Sequence, residues 1–322
     1  MSGKAAVVAY DQLNDRLLYG VFGAESGAQV EWTSPLTGID GGSFRSPALA
    51  LVGTSSGPAI FVGRPSGELI RGRLLEAGWQ WEQLAFLGAP VVALEALNVP
   101  EVGYHVVAAT EDVDAFFLGL QGGEVMGPEP ILDDAGAPLV QPPFSLVRLA
   151  GRTTLLAGGI AGGLVSMSRE SPGWTSHLLV KGVDVGAVAL QQTPVGVLTL
   201  YVDRADGSLY QVIEDEVGSV VVSELAPGVR APEVDGLPIR IATAESSSAA
   251  HVLYFDASVG ALQYLIGAQG WEWSEIDSAP LTTVFLPGLV TVPDGLPLSA
   301  GIDRGSNAAG PGVFQLLFLG QL

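Results

Sequence analysis

One feature constrains this chain more than any other: a four-segment plan that recurs along its length. It consists of an apolar stretch a, a short loop, a strongly apolar stretch b, a Gly/Asp turn, a mixed stretch c, a Gly-Trp type turn and a stretch d. Residues 47–86 show it best, as PALALVG, AIFVGR, the turn PSG, ELIRGRL and WQWEQL. From 238 it returns as PIRIATA, AHVLYFD, ASVG, ALQYLIG and GWEWSEI. From 144 it reads FSLVRLA, TTLLAGG, LVSMSRE, GWTSHLLV, and from 186 GAVALQ, GVLTLYVD, RADG, SLYQVIE, VVVSEL. The copy from 91 is looser: VVALEAL, YHVVAATED, AFFLGLQ, VMGPEPIL. The a stretches begin near 47, 91, 144, 187 and 238, a pitch of about 43 to 53 residues. Such a period marks four-stranded units stacked around an axis.

Apolar runs of about six to eight residues, cut by Gly, Pro or charge, have strand length. Stretch b is almost continuously apolar (IFVG, VLYF, TLYV), as a strand covered on both sheet faces must be. Stretch c alternates, and d carries Glu and Gln beside Trp, so polarity rises towards one edge. No window holds a sustained helical period. The expected fold class is therefore all-β: a β-propeller of four-stranded antiparallel blades, forming one domain over residues 1–322. The N-terminal piece supplies b, c and d (AAVVAYD, RLLYGVF, QVEWTSPL) and lacks a. At the other end, TVFLPGLV, LPLSAGID and VFQLLFL read as a, b and c of a seventh blade. Alternatively LPLSAGID is itself an a strand, which gives six blades. Seven is the expectation favoured by length, since 322 residues divide into units of about 46. The Pro/Gly-rich pieces 126–143 and 277–297 are expected to be long inter-blade loops.

Composition then removes whole classes of function. With no Cys, there is no disulfide scaffold, thiolate metal site or Cys nucleophile. Fourteen basic against 34 acidic residues, a net charge of −20, is the wrong field for nucleic acid. Lys4 and Lys181 are the only lysines. No apolar run approaches the ~18 residues of a spanning helix, so no membrane insertion is expected. The apolar run in MSGKAAVVAY is too short for a signal-peptide core. The expected location is the cytoplasm, or outside it by a route without a cleaved signal.

The pattern [apolar]-D-x-x-x-G-x-L…G-W-x-W-x-x-[LI] resembles the blades of fucose-binding propeller lectins. It is best kept over 254–276 and 60–84 and, without the Trp, over 201–225. The resemblance implies a non-catalytic sugar binder with pockets between adjacent blades, lined by repeated Trp, Arg and Asn. This chain has six Trp and only three Asn, at 14, 98 and 307. The sialidase motif S-x-D-x-G-x-T-W and the G-H…W-D signature of WD40 repeats are both missing.

Tryptophan supplies the candidate ligand residues: Trp79 and Trp81, their counterparts Trp271 and Trp273, and the single residues Trp174 and Trp32. An indole face can stack on a sugar while its N–H donates a hydrogen bond. A spacing of two puts both members of a pair on one strand face. The competing reading is that an aromatic at a repeated position packs against the next blade. The acidic stretches DRADG (Asp203, Asp206), EDVDA (Asp112, Asp114) and ILDDAG (Asp133, Asp134) lack a calcium-loop pattern and read as turns. His105, His177 and His251 have no zinc spacing. No G-x-S-x-G elbow accompanies Ser55–Ser56 or Ser246–Ser248, and GGIAGG at 158–163 lacks the Lys of a phosphate loop. No cofactor, metal or catalytic residue is therefore assigned. Three functions follow from this reading: a ligand-binding propeller taking a glycan; a protein-interaction or structural subunit, consistent with a mean hydropathy of +0.40 and the apolar end 313–322; and a hydrolase or lyase using loop carboxylates.

Overall fold

The structure is a computed structural model. It describes residues 5–11, 16–22, 31–33, 48–54, 57–226 (save 113, 134–135, 171–172, 194–195 and 215–217), 241–245, 250–256, 261–267, 273–275 and 301–302. Every regular element among them is a β-strand. They form six four-stranded sheets, in which each strand pairs with its sequence neighbour, save that the last strand pairs with the first. All the registers resolved are antiparallel. Two compact units divide the chain, 1–129 with 282–322, and 130–281.

The first unit holds three sheets. One contains β1 (Ala5–Asp11), β2 (Arg16–Phe22) and β3 (Glu31–Thr33), with β24 (Gly301–Ile302) beside β1 through Val7↔Ile302 and Val8↔Gly301. The next comprises β4 (Ala48–Thr54), β5 (Gly57–Gly63), β6 (Glu68–Leu75) and β7 (Gly78–Phe86). The third comprises β8 (Val91–Val99), β9 (Gly103–Thr110), β10 (Ala115–Gln121) and β11 (Glu124–Pro130). The second unit holds β12 (Val140–Leu149) to β15 (Gly173–Lys181), with β13 (Arg152–Gly159) and β14 (Gly163–Glu170) between them. It continues with β16 (Val185–Thr193), β17 (Gly196–Asp203), β18 (Leu209–Glu214) and β19 (Val220–Ala226). Its last sheet is β20 (Ile241–Glu245), β21 (Ala250–Asp256), β22 (Ala261–Gly267) and β23 (Trp273–Glu275).

The a, b, c and d stretches thus become successive strands of one sheet. Gly301–Ile302 pairs with β1 at the a position of the N-terminal sheet, as in the six-unit alignment of the repeat. Residues 277–297 and 303–322 lie outside the described residues. The loop expected over 126–143 is shorter than that stretch: it is confined to 131–139, between β11 and β12. Half of the stretch is strand, the end of β11 and the start of β12, and the connection between them carries the bridge Leu132↔Pro138. Pro and Gly suggested a loop, but an edge strand tolerates Pro because its outward N–H groups need no partner.

Burial follows the predicted gradient. The b strands β9 and β13 are buried over most of their length, with Val106, Val107, Ala108, Leu155 and Leu156 wholly inaccessible. The d strands β11 and β15 are largely exposed. Alternate residues of a strand serve different neighbours, because successive side chains point to opposite faces. Ile60, Val62 and Ile70 pack with Leu17 and Tyr19 of β2, whereas Phe61 and Leu69 pack with Val91, Leu94, Val106 and Leu118 of β8–β10. In the second unit, Val188, Leu190, Tyr201 and Val212 pack on Val147, Leu156 and Leu164 of the preceding sheet. At about 25 cal/mol per Å² of apolar surface, these face-to-face contacts dominate the stability.

Candidate functional site

The β6–β7 hairpin brings candidate side chains to both faces of its sheet. Trp79 and Trp81 project to one face, two residues apart, with ring centroids at 6.0 Å and planes inclined by 26°. Tyr19 of β2 meets Trp79 edge-on at 5.1 Å. Trp81 lies across from Gly72. A Cβ at Gly72 would come within 2.7 Å of the indole. The missing side chain is therefore the space in which the ring sits, an aromatic covering a strand glycine. The Nε1 of Trp81 is buried and finds no acceptor among the protein atoms. This face is an aromatic packing layer, with Tyr19 only 4% exposed.

The opposite face carries charge. Arg71 of β6 and Glu82 of β7 are direct cross-strand partners. The Arg71 Nε donates to Glu82 Oε1 at 2.6 Å, and a terminal guanidinium nitrogen makes an ion pair with the same oxygen. Arg73 reaches that carboxylate at 3.6 Å from further along the strand. The Arg71 guanidinium lies over the Tyr104 ring of β9, 5.2 Å from its centroid. Phe61 braces Tyr104 edge-on at 5.3 Å. Arg71 is buried, but the Glu82 side chain is 40% exposed. Solvent thus meets a carboxylate whose orientation is set by a buried, permanently charged fork. A strong charge-assisted pair beside an aromatic ring sets acceptors, donors and an apolar face next to one another.

The other expected residues are dispersed. Trp174 pairs across strands with Arg169, whose guanidinium lies 5.5 Å from the ring centroid. Trp32 lies across from Gly20, and Trp273 across from Gly267. Trp271 lies outside the described residues. Among the described tryptophans, only Trp79 and Trp81 are seen to meet, and the charged pair faces away from them. Arg71, Glu82 and Tyr104 were missed by the sequence reading. The signal was present but faint: an Arg and a Glu eleven residues apart in one hairpin, close to the distance at which c and d strands pair.

In two of the acidic stretches, DRADG and ILDDAG, aspartates do turn chemistry. Asp203 Oδ1 accepts from the N–H of Ala205 at 2.9 Å, and Asp206 Oδ1 from that of Ser208 at 2.8 Å. Asp133 Oδ1 accepts from the N–H of Ala137 at 2.8 Å. The Tyr210 hydroxyl donates to Asp206, which holds that carboxyl below its ordinary range and pushes the phenol up. Tyr201, stacked on Tyr210 at 5.1 Å, is raised mainly by burial. His105 packs edge-on against Phe117 at 5.1 Å, and His177 Nδ1 lies 3.5 Å from Glu214 Oε1. Ser55, Ser56 and Ser246–Ser248 lie outside the described residues.

No protein-family model matches the chain, and no curated protein matches it in sequence. Solved structures do match in shape. A fungal lectin of Aleuria aurantia, with a six-bladed β-propeller fold and its own mode of fucose recognition, is 15% identical, with a TM-score of 0.55. The match covers 89% of this chain and 94% of that one. The fold is a β-propeller. The SapL1 lectin, solved with α-methyl fucoside, matches at 12% identity and a TM-score of 0.51, over 84% of this chain and 94% of that one. A candidate 6-phosphogluconolactonase of Bacteroides uniformis matches at 12% identity and a TM-score of 0.55, over 98% and 97%. At such identities the likeness shows architecture and leaves function to the site. The propeller expected from the repeat is thus the fold observed.

Proposed function

We propose that this propeller is a non-catalytic saccharide-binding protein whose ligand docks at Glu82, Arg71 and Tyr104. One observation carries the reading: a half-exposed carboxylate locked by a buried guanidinium that itself lies over a tyrosine ring. The carboxylate held by Arg71 accepts from vicinal sugar hydroxyls, the exposed Arg73 guanidinium beside it donates to them, and an aromatic ring takes the apolar sugar face. Both charges are preorganised, so little ordering cost falls on binding. A lectin of the same fold recognises fucose, and another was solved with a fucoside. Both support a glycan as the ligand class. A neutral sugar also suits a chain of net charge −20, which repels anionic ligands. The tryptophans first singled out become packing residues in this reading.

A protein ligand is the second reading. Its support is apolar exposure on outer strands, with Leu178 48%, Val221 57% and Val222 41% accessible. The lactonase likeness carries fold alone, and no residue is assigned a role in turnover.

A glycan array decides between these readings. The parent protein, Glu82→Gln and Trp79→Phe are tested side by side, with circular dichroism as the folding control. Selective binding by the parent and by Trp79→Phe, lost in Glu82→Gln, supports the site. A blank array from folded parent protein overturns the saccharide reading. Binding lost in Trp79→Phe but kept in Glu82→Gln moves the site to the opposite face.

A further inference from the structure

Repetition lets equivalent positions be compared sheet by sheet. In three sheets a glycine on c lies across from a tryptophan on d: Gly20↔Trp32, Gly72↔Trp81 and Gly267↔Trp273. The adjacent pair, one step towards the b–c turn, is Tyr19↔Thr33 in the first and Arg71↔Glu82 in the second. Two other sheets share a different landmark with the Arg71 sheet. The c–d register shifts just after Leu69, Leu164 and Leu209. Two residues beyond those leucines stand Arg71↔Glu82, Ser166↔His177 and Gln211↔Ser223. In the remaining sheet the b–c turn is closed by Thr110 N–H to Asp114 O, as Arg64 N–H closes on Glu68 O. Counting from that turn puts Phe117 where Arg71 stands.

Counted from the b–c turn, the level of Arg71 is occupied by Tyr19, Arg71, Phe117, Ser166, Gln211 and Tyr264 in the six described sheets. Only one of these is a cation, and its cross-strand partner is a carboxylate. Tyr19 and Phe117, each 4% exposed, fill their places with aromatic packing. A serine or glutamine has no fixed, permanently charged fork with which to orient a carboxylate. From this we infer that the six described sheets carry a single saccharide site, at Arg71–Glu82–Tyr104, and that the protein is a monovalent receptor. The inference rests on the saccharide reading above and adds its stoichiometry. A ring of equivalent pockets would cross-link multivalent glycans by avidity, whereas one pocket gives a simple intrinsic affinity.

Stoichiometry tests it on the full chain. Native mass spectrometry and isothermal titration use four probes: the methyl glycosides of α-L-fucose, α-mannose, β-galactose and β-N-acetylglucosamine. One bound glycoside per chain is expected, with affinity at least about tenfold weaker in Glu82→Gln, the scale of a charge-assisted hydrogen bond. The parent should also fail to precipitate a polymer bearing the same sugar. Two or more glycosides per chain, or most binding capacity kept in Glu82→Gln, overturns the single site and leaves the saccharide reading standing. No binding of any probe by folded parent protein overturns both. The parent's stoichiometry decides even where the variant folds poorly.

Discussion

The two faces of the β6–β7 hairpin use the same backbone for opposite purposes. On one face, Trp79 and Trp81 stack and lean on Tyr19, with Gly72 leaving room beneath an indole. On the other, one residue away along each strand, Arg71 and Glu82 form an ion pair beside Tyr104. Alternation of side chains makes this possible, since neighbours along a strand never share a face. In the saccharide reading, the most conspicuous residues hold the sheets together, while less conspicuous ones supply polar chemistry. Indoles bury much apolar area, so a repeat architecture uses them where sheets meet.

That contrast can be broken or sharpened by substitution. The largest effect is expected from the aromatic face: Trp79→Ala with Trp81→Ala should cost about 3–5 kcal/mol in urea unfolding, the range for emptying aromatic packing sites. A loss below 1 kcal/mol would mean that the indoles are free to serve a ligand. Next comes the charged face. Glu82→Gln should cost about 1.5–3 kcal/mol, because it strips the charged partner from the buried Arg71 guanidinium. Unlike the tryptophan variant, it should abolish sugar binding at concentrations where the protein is still folded. Smaller is Gly72→Ala, expected at about 1–2 kcal/mol through overpacking against Trp81. Its cost should vanish in a Trp81→Ala background, a coupling that a double-mutant cycle measures. Equal costs in both backgrounds would show that the glycine serves the backbone and not the ring.

The smallest effect concerns pH and the turn that ends this sheet. Glu68 accepts from Arg64 Nη1 at 2.9 Å and from Ser66 Oγ at 3.1 Å, and these bonds hold its carboxyl below the usual value of 4.5. A carboxyl lowered on folding stabilises the protein above its unfolded pKa. That contribution fades as pH falls through the lowered folded value. Glu68→Gln should therefore flatten stability below about pH 4.5 and leave the slope near neutrality unchanged. An unchanged acid limb in unfolding titrations would remove Glu68 from the account.

How much was legible beforehand differs between fold and site. The four-strand repeat, the buried b strands and the exposed d strands could all be read from apolar runs, because burial acts on each strand's own composition. The loop reading of 126–143 was too long at both ends because Pro and Gly are breakers inside a sheet but are tolerated on an edge strand such as β11. Tryptophan recurrence was also plain, but its meaning was not. Only the cross-strand registers showed that Trp32, Trp81 and Trp273 each lie across from a glycine.

By itself, then, the sequence determined an all-β chain of repeated four-strand units, without thiols and strongly acidic. These properties follow from composition and from periodicity along the chain, and both are local. The site was decided by tertiary structure. Arg71 and Glu82 are eleven residues apart and meet because β6 and β7 pair in one particular register. Tyr104 lies a whole sheet further on and joins them only when the neighbouring sheet packs against that face. A one-residue slip in either strand would turn the pair away from each other, one side chain to each face. Register and packing are properties of partners in space, which no single stretch of residues carries alone.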